Sequence, residues 1–343
     1  MFTKLQRETV SILDAGLVKT SYLNEEKQAP LVISPEQDVE IDIIKWLKAK
    51  VDYVEDKILK HGAILFRGFK IDSVDKLEQF SKALRTELVE YLERRSPRTD
   101  LAEKVYSSTV HPADQYIHFH NTNSFAHQWP MKLWFCCIQP AEVDGRTPIA
   151  DCRRVYQIMN PTLRDKFVEK GVMYRQNFYD GMGLSWQTTY QTTEKSGVAD
   201  YCRKAGIDFE WIDGERLRTR QVRHAVVKHP KTGELSWFNQ AHHFHVLSLE
   251  KEVSHLLLDT YKEEDLPRNA YFGDGQPITP MELDEITECY EREKISFPWE
   301  QGDVLMLENM LMAHSRTPFK GERLIALTLA DMYSPSYHGG GVA

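Results

Sequence analysis

The stretch from residue 105 to 151 permits few folds. Four short apolar or aromatic runs, VYSSTV, QYIHFHNT, KLWFCCIQ and RTPIAD, follow one another with Pro, Gly, Asn and Asp between them. Runs this short, bounded by turn formers, read as β-strands. The pattern returns far downstream in QVRHAVVKH, LSWFNQ, DVLMLEN and RLIALTLADMY. The intervening sequence reads as mostly helical. In NPTLRDKFVEKG, for instance, Asn160 is placed as a cap, Pro161 as a first-turn residue and Gly171 as a stop. Strands on either side can pair across such an insertion. The expectation is therefore one α+β domain over 1–343, with flanking helices and a large helical insertion around 155–220. Ahead of the strands, DVEIDIIKWLKAKVDYVEDKILK has the apolar spacing of one amphipathic helix, and GAILFRGF reads as a buried strand. DSVDKLEQFSKALRTEL reads as a second helix, with Asp72 and Ser73 as caps. No repeat or Gly/Ser linker is visible, and only HGGGVA reads as a loose tail.

Charge and cysteine usage narrow the function classes. A formal net charge of −8 argues against binding to nucleic acid or to an anionic membrane, because both need clustered Lys and Arg. The five cysteines lack C-x-x-C spacing, and two of them, Cys136 and Cys137, are adjacent. They suggest reduced thiols packed as small hydrophobes rather than a disulfide framework or zinc ribbon. MFTKLQRETVSILDAG has no basic segment followed by an apolar run, and no window has the apolar length of a membrane span. A cytoplasmic protein is expected. There is no G-x-S-x-G and no Gly-rich loop opening a helix, so hydrolase and dinucleotide-binding readings find no support.

HFHNTNSF carries the chemistry. His118, His120 and Thr122 alternate, so on a strand all three side chains share a face. Non-haem iron oxygenases hold Fe(II) on two histidines and a carboxylate with open positions opposite, and a distant histidine usually completes the set. Here LENMLMAHSRTPFKGER supplies His314 as the distant partner. Arg323 follows nine residues later, beyond a turn marked by Pro318 and Gly321, and a guanidinium there suits the carboxylate of a keto acid.

From ILFRGF through SSTVHPADQYIHFHN, WPMKLWFCCIQPAEVDGRTPIADCRRVY, FNQAHHFH and LPRNAYFGDG to GDVLMLENMLMAHSRTPFKGER, the chain resembles the taurine dioxygenase and clavaminate synthase superfamily of Fe(II)/2-oxoglutarate oxygenases. The similarity is greatest to the branch that includes syringomycin-type aspartyl hydroxylases. The resemblance implies a double-stranded β-helix, or jelly roll, with iron at its open end. It places His120 and His314 on the two histidine ligands, and Thr147 and Arg323 on positions that hold 2-oxoglutarate, with Arg316 nearby. It also implies a small amino-acid-like substrate, free or tethered to a carrier protein, in secondary-metabolite biosynthesis.

Thr122 departs from the family pattern, which reads H-N-E where this chain reads His120, Asn121, Thr122. Three accounts stay open. In the first, iron is held by the two histidines with water or chloride at the vacated position, as in related halogenases. In the second, His118 or another residue supplies the third ligand to an oxygenase performing hydroxylation, desaturation or cyclisation, although His118 lies about 6.6 Å along the strand from His120. In the third, the site binds a ligand without turnover. Among other candidates, His242 or His243 could meet His245 in a second zinc site, with a structural role as the alternative. Arg216, Arg218, Arg220 and Arg223 read either as a solvated face or as an anchor for an acidic group, including that of a carrier protein. The oligomeric state is not legible.

Overall fold

The computed structural model describes residues 17–36, 41–90, 100–107 and 111–335. The N-terminal MFTKLQRETVSILDAG, the HGGGVA tail and the start of the 38–60 segment lie outside the described residues.

The run that reads most strongly as a strand becomes the centre of the larger sheet. Trp129–Gln139 lies between Val304–Glu308 and Leu324–Tyr333, antiparallel to both. The sheet has eight strands in the order Val18–Asn24, Ala29–Pro35, Ala63–Phe66, Val304–Glu308, Trp129–Gln139, Leu324–Tyr333, Val105–Ser107 and Asp100–Ala102. Its one parallel pairing joins Ala29–Pro35 to Ala63–Phe66. KLWFCC is continuously apolar because both faces of its strand are covered. Leu133, Phe135 and Cys137 face one core with Leu305, Leu307, Ile325 and Leu327. Trp134 and Cys136 face the other core, packed with Phe66 of the same sheet and with Ile58 and Phe80 from the helical layer.

A smaller sheet holds Ile117–His120, Met312–Arg316 and Ile149–Asp151, and the first of these cores packs beneath it. The connection from Val304–Glu308 to Met312–Arg316 is a short turn at residues 309–311, so the chain crosses from the large sheet to the small one. Two packed sheets linked in this way, with helices flanking the larger, form the sandwich expected of a jelly roll.

Two expectations change. The single 38–60 helix is divided into Ile43–Ala49 and Val51–His61, broken at Lys50 (φ −123°, ψ 25°). The first half packs on helix Val74–Ala83, and the second on strands Ala29–Pro35, Ala63–Phe66 and Val304–Glu308. The apolar stripe runs on across the break, which is why spacing alone does not show it.

The 155–220 segment is mixed rather than mostly helical. Besides Cys152–Ile158, Pro161–Lys170, Trp186–Tyr190 and Lys195–Ala205, it contains strands Val172–Asn177, Asp208–Ile212 and Arg216–Arg223. These strands form a four-stranded sheet that Arg268–Phe272 completes from downstream. Arg216–Arg223 alternates in burial, but three of its four inward residues are Thr219, Gln221 and Arg223. Polar side chains on the inner face hide the apolar alternation by which a half-buried strand is recognised. Arg223 is accommodated by donating to the Ala205 carbonyl at 2.7 Å, capping a helix end, and to Gln221 Oε1 at 2.6 Å. Arg218 pairs with Asp265 at 2.7 Å and Arg220 with Asp208 at 2.8 Å.

Phe66 is fully buried, with its ring 5.0 Å from that of Phe80 in an edge-on contact. Phe66→Ala is expected to lower unfolding stability by about 3–5 kcal/mol. Met281→Ala, at a position 82% exposed, should stay within about 0.5 kcal/mol of the parent. Urea denaturation of both variants checks the contrast.

Candidate metal and cosubstrate site

The site begins with a buried asparagine in the turn between the two sheets. Asn309 Oδ1 accepts from the Thr122 N–H at 2.9 Å, and its Nδ2 donates to the Thr122 carbonyl at 2.9 Å and the Pro130 carbonyl at 2.8 Å. Its own carbonyl accepts from Asn121 Nδ2 at 2.7 Å. The chain after strand Ile117–His120 is thus fixed against the 309–311 turn before Asn123 (φ 59°) redirects it.

That registration sets His120 directly opposite His314 on the neighbouring antiparallel strand. Their ring centroids are 4.3 Å apart, with planes inclined by 52°. The His120 Nδ1–H donates to the His118 carbonyl at 2.8 Å, which puts the ring's lone pair on Nε2, the nitrogen that a metal would use. His314 is buried, its ring centroid 5.0 Å from that of Phe135.

Thr122 is 2% exposed, and its hydroxyl has no hydrogen-bond partner among the described residues. No group of three or more His, Cys, Asp or Glu side chains among the described residues is placed to hold a metal. Among the described residues the site therefore offers two imidazoles and no acid. Imidazole suits iron as well as zinc, copper and nickel, and the donor pair fits a metal whose other positions are filled from outside the protein.

His118 does not join the pair. Its Nε2 lies 2.9 Å from the Ser248 carbonyl, and its ring packs against Tyr116. The AHHF helix, Ala241–Phe244, brings His243 to the site, its ring 5.0 Å from that of His120 and nearly parallel. His242 turns to Tyr290, at 5.0 Å, and His245 Nδ1 accepts from the Leu247 N–H at 3.2 Å. These three histidines have separate partners, so the second zinc site is not assembled. Burial holds His242 and His243 well below the usual imidazole range, helped by neighbouring imidazoles and, for His243, by Arg268. Burial alone pushes His245 down to about 4.

Thr147 and Arg323 do come together. Segment 146–149 runs beside the strand of His314, with the Ser315 N–H donating to the Pro148 carbonyl at 2.9 Å and Ile149 paired with His314. Arg323 Nε donates to the Gly145 carbonyl at 2.8 Å, and its Nη2 reaches Thr147 Oγ1 at 3.4 Å. Trp299 Nε1 donates to the same hydroxyl at 3.1 Å. Burial, reinforced by the charge of Arg316, lowers the Arg323 guanidinium to about 10, which keeps it cationic at neutral pH.

Arg316 has a different placement. It is 6% exposed and donates to the carbonyls of His111 (2.9 Å), Gln115 (2.7 Å) and Pro112. Its guanidinium ties down the 111–115 loop and shares the Phe319 ring with Arg323. Sequence reasoning missed Trp299 and Asn309: a lone tryptophan in a loop and an asparagine in a turn have no periodic signal.

Beside His120 and Thr122 opens a cavity of about 990 Å³, lined also by His118, His242, His243 and Arg268. Its rim includes the start of helix Lys251–Thr260, whose one buried residue is Ser254.

The family model described as taurine catabolism dioxygenase TauD, TfdA family matches residues 26–329. The chain belongs to this family. It is 39% identical over 283 residues to the dapdiamide synthesis protein DdaC of Enterobacter agglomerans, covering 82% of this chain and 86% of that one. It is 26% identical over 322 residues to a clavaminate synthase-like protein of Arabidopsis thaliana, covering 89% and 94%. Among solved structures, PvcB of Pseudomonas aeruginosa superposes with a TM-score of 0.54 at 14% identity, over 93% of both chains. AAD-2 in complex with Mn(II) and N-oxalylglycine gives a TM-score of 0.53 at 12% identity, over 93% of this chain and 99% of that one. These structural likenesses show the oxygenase fold. Family membership bears out the resemblance drawn from the motifs, at the level of the superfamily and its aspartyl hydroxylase-like branch. Among the described residues, no helix of this family member is long and apolar enough to cross a membrane.

Asn309→Ala would strand the Thr122 N–H and carbonyl in the interior. The expected loss is roughly 2–4 kcal/mol of unfolding stability, read by urea denaturation. Arg316→Ala, which removes the donor to three carbonyls, should cost about 1–3 kcal/mol and make the 111–115 loop the first site of limited proteolysis.

Proposed function

We propose that the protein is an Fe(II)/2-oxoglutarate-dependent oxygenase that functionalises a C–H bond of a small amino-acid-like molecule, free or carrier-tethered, in a biosynthetic route. The observation that carries this reading is the cross-strand His120–His314 pair at 4.3 Å, beside a half-buried arginine and a buried threonine that face each other. The relation to a dapdiamide synthesis protein supports the biosynthetic setting.

On this reading His120 and His314 hold the iron. Arg323 and Thr147 receive the distal carboxylate of 2-oxoglutarate, the guanidinium by charge-assisted hydrogen bonds and the hydroxyl as a short donor. Trp299 already donates to the Thr147 oxygen, which leaves the hydroxyl proton to point at the carboxylate. Iron and 2-oxoglutarate, when bound, would with dioxygen supply oxidative decarboxylation to succinate and carbon dioxide, one oxygen atom entering succinate and the other replacing C–H by C–OH. His118, His242 and His243 wall the cavity in which the substrate is held, and His243 packs on His120 to fix its ring. Thr122 leaves one metal position without a protein acid. That absence favours a second reading, in which chloride occupies the position and is transferred to the substrate. A binding protein of the same fold is the third.

Anaerobic titration separates these readings. A charge-transfer band that needs both Fe(II) and 2-oxoglutarate is expected, and its absence at saturation would favour the binding protein. A band that shifts with chloride identifies the open-position reading, whereas insensitivity to chloride counts against it. Thr122→Glu should tighten Fe(II) binding by roughly tenfold or more through the restored charge, and unchanged affinity would mean that Thr122 does not face the metal. Arg323→Ala should weaken 2-oxoglutarate by roughly tenfold or more while leaving Fe(II) affinity, measured without 2-oxoglutarate, nearly constant. In the parent, 2-oxoglutarate affinity should be level at neutral pH and fall as pH rises through about 10, where Arg323 loses its charge.

A further inference from the structure

The charged residues that line the cavity are not distributed evenly. Asp114, Glu250, Lys251 and Asp284 line it and are exposed. Arg268 is the one permanently charged lining residue, among those described, that is half-buried. It opens strand Arg268–Phe272, where its backbone is held opposite Gln176. Its guanidinium lies 5.5 Å from the centre of the Phe244 ring. Phe244 follows His243, whose ring rests on His120. A short chain of contacts thus connects the arginine to the candidate metal ligand along one wall. The Arg268 charge also acts on His111, His118 and His243, which come from three different segments around the cavity.

A cation set in the wall of a cavity whose acids sit at its exposed rim creates a directional field. An anionic group is drawn inward and a cationic one is held toward the rim. The cosubstrate has its own arginine, Arg323, which does not line this cavity. We propose that Arg268 is a specificity-determining residue that binds the carboxylate of a free amino-acid-type substrate, so that the carbon chain lies against the His120 side of the cavity and the amino group faces Asp114, Glu250 and Asp284. A planar guanidinium receives a carboxylate through two parallel hydrogen bonds, which fixes direction as well as affinity. This deepens the oxygenase reading by naming the chemistry of its substrate, yet binding at Arg268 requires no iron.

The test uses the full chain without metal or 2-oxoglutarate. The probes are the twenty proteinogenic L-amino acids and their carboxamides, which keep the amino group and lose the carboxylate. Binding is read by thermal shift and calorimetry. At least one amino acid is expected to bind at least about tenfold more tightly than its amide. Arg268→Gln should abolish that preference, and Arg268→Lys should restore part of it. Melting temperature without ligand, together with 2-oxoglutarate binding in the presence of Fe(II), checks that each variant is folded with an intact cosubstrate site. Binding of none of the acids, equal binding of acid and amide, or an undiminished preference in a folded Arg268→Gln protein overturns the proposal. A protein that shows the carboxylate preference but no charge-transfer band would instead keep this inference and lose the iron reading.

Discussion

Everything in the site depends on strand registration, and registration depends on one buried amide. Asn309 has no exposed surface and holds residues 121–122 and Pro130 in fixed relation to the turn it occupies. Opposed residues on antiparallel strands meet, and a one-residue slip turns every side chain to the other face. His120 and His314, 194 positions apart in the chain, meet only because the Ile117–His120 end cannot slide past Met312–Arg316. The turn also joins the two sheets, so the amide that sets the ring pair links the layers of the sandwich.

The electrostatic character of the site follows from what this pair lacks. A carboxylate beside two imidazoles would supply a negative charge in a poorly solvated wall, whereas the Thr122 hydroxyl supplies only a dipole. On the proposed reading, charge balance shifts to molecules that come and go, with the 2-oxoglutarate dianion neutralising much of the metal and Arg323 steadying its far end. Metal retention then depends on the cosubstrate more strongly than in a three-ligand site.

Different parts of the fold were legible to different degrees, for physical reasons. KLWFCCIQ was readable as a strand because burial on both faces leaves it continuously apolar. Ser73, Asn160, Pro161 and Gly171 were readable because helix ends need particular residue types, and the structure uses Ser73 and Asn160 as side-chain caps. The strand Arg216–Arg223 was hidden because its interior face is polar and is satisfied by partners remote in sequence. The Lys50 break was hidden because two halves with one continuous stripe dock on different neighbours. His120, His314, Thr147 and Arg323 could be named from motifs, and the structure brings them together in pairs. Arg316 has a role that motifs do not show: its three carbonyl partners come from a loop some two hundred residues earlier.

The double-sided burial of the central strand also governs how the protein meets oxygen. Neighbouring residues on a strand point to opposite faces, so Cys136 and Cys137 sit in separate cores and do not lie side by side for a vicinal disulfide. Burial pushes both thiols up, Cys137 to about 12, and does the same for Cys152 and Cys289. Protonated sulfur is a poor nucleophile toward peroxide. With all five cysteines buried, the interior offers little thiolate that a stray oxidant can attack, a useful property in a chain whose relatives work with dioxygen.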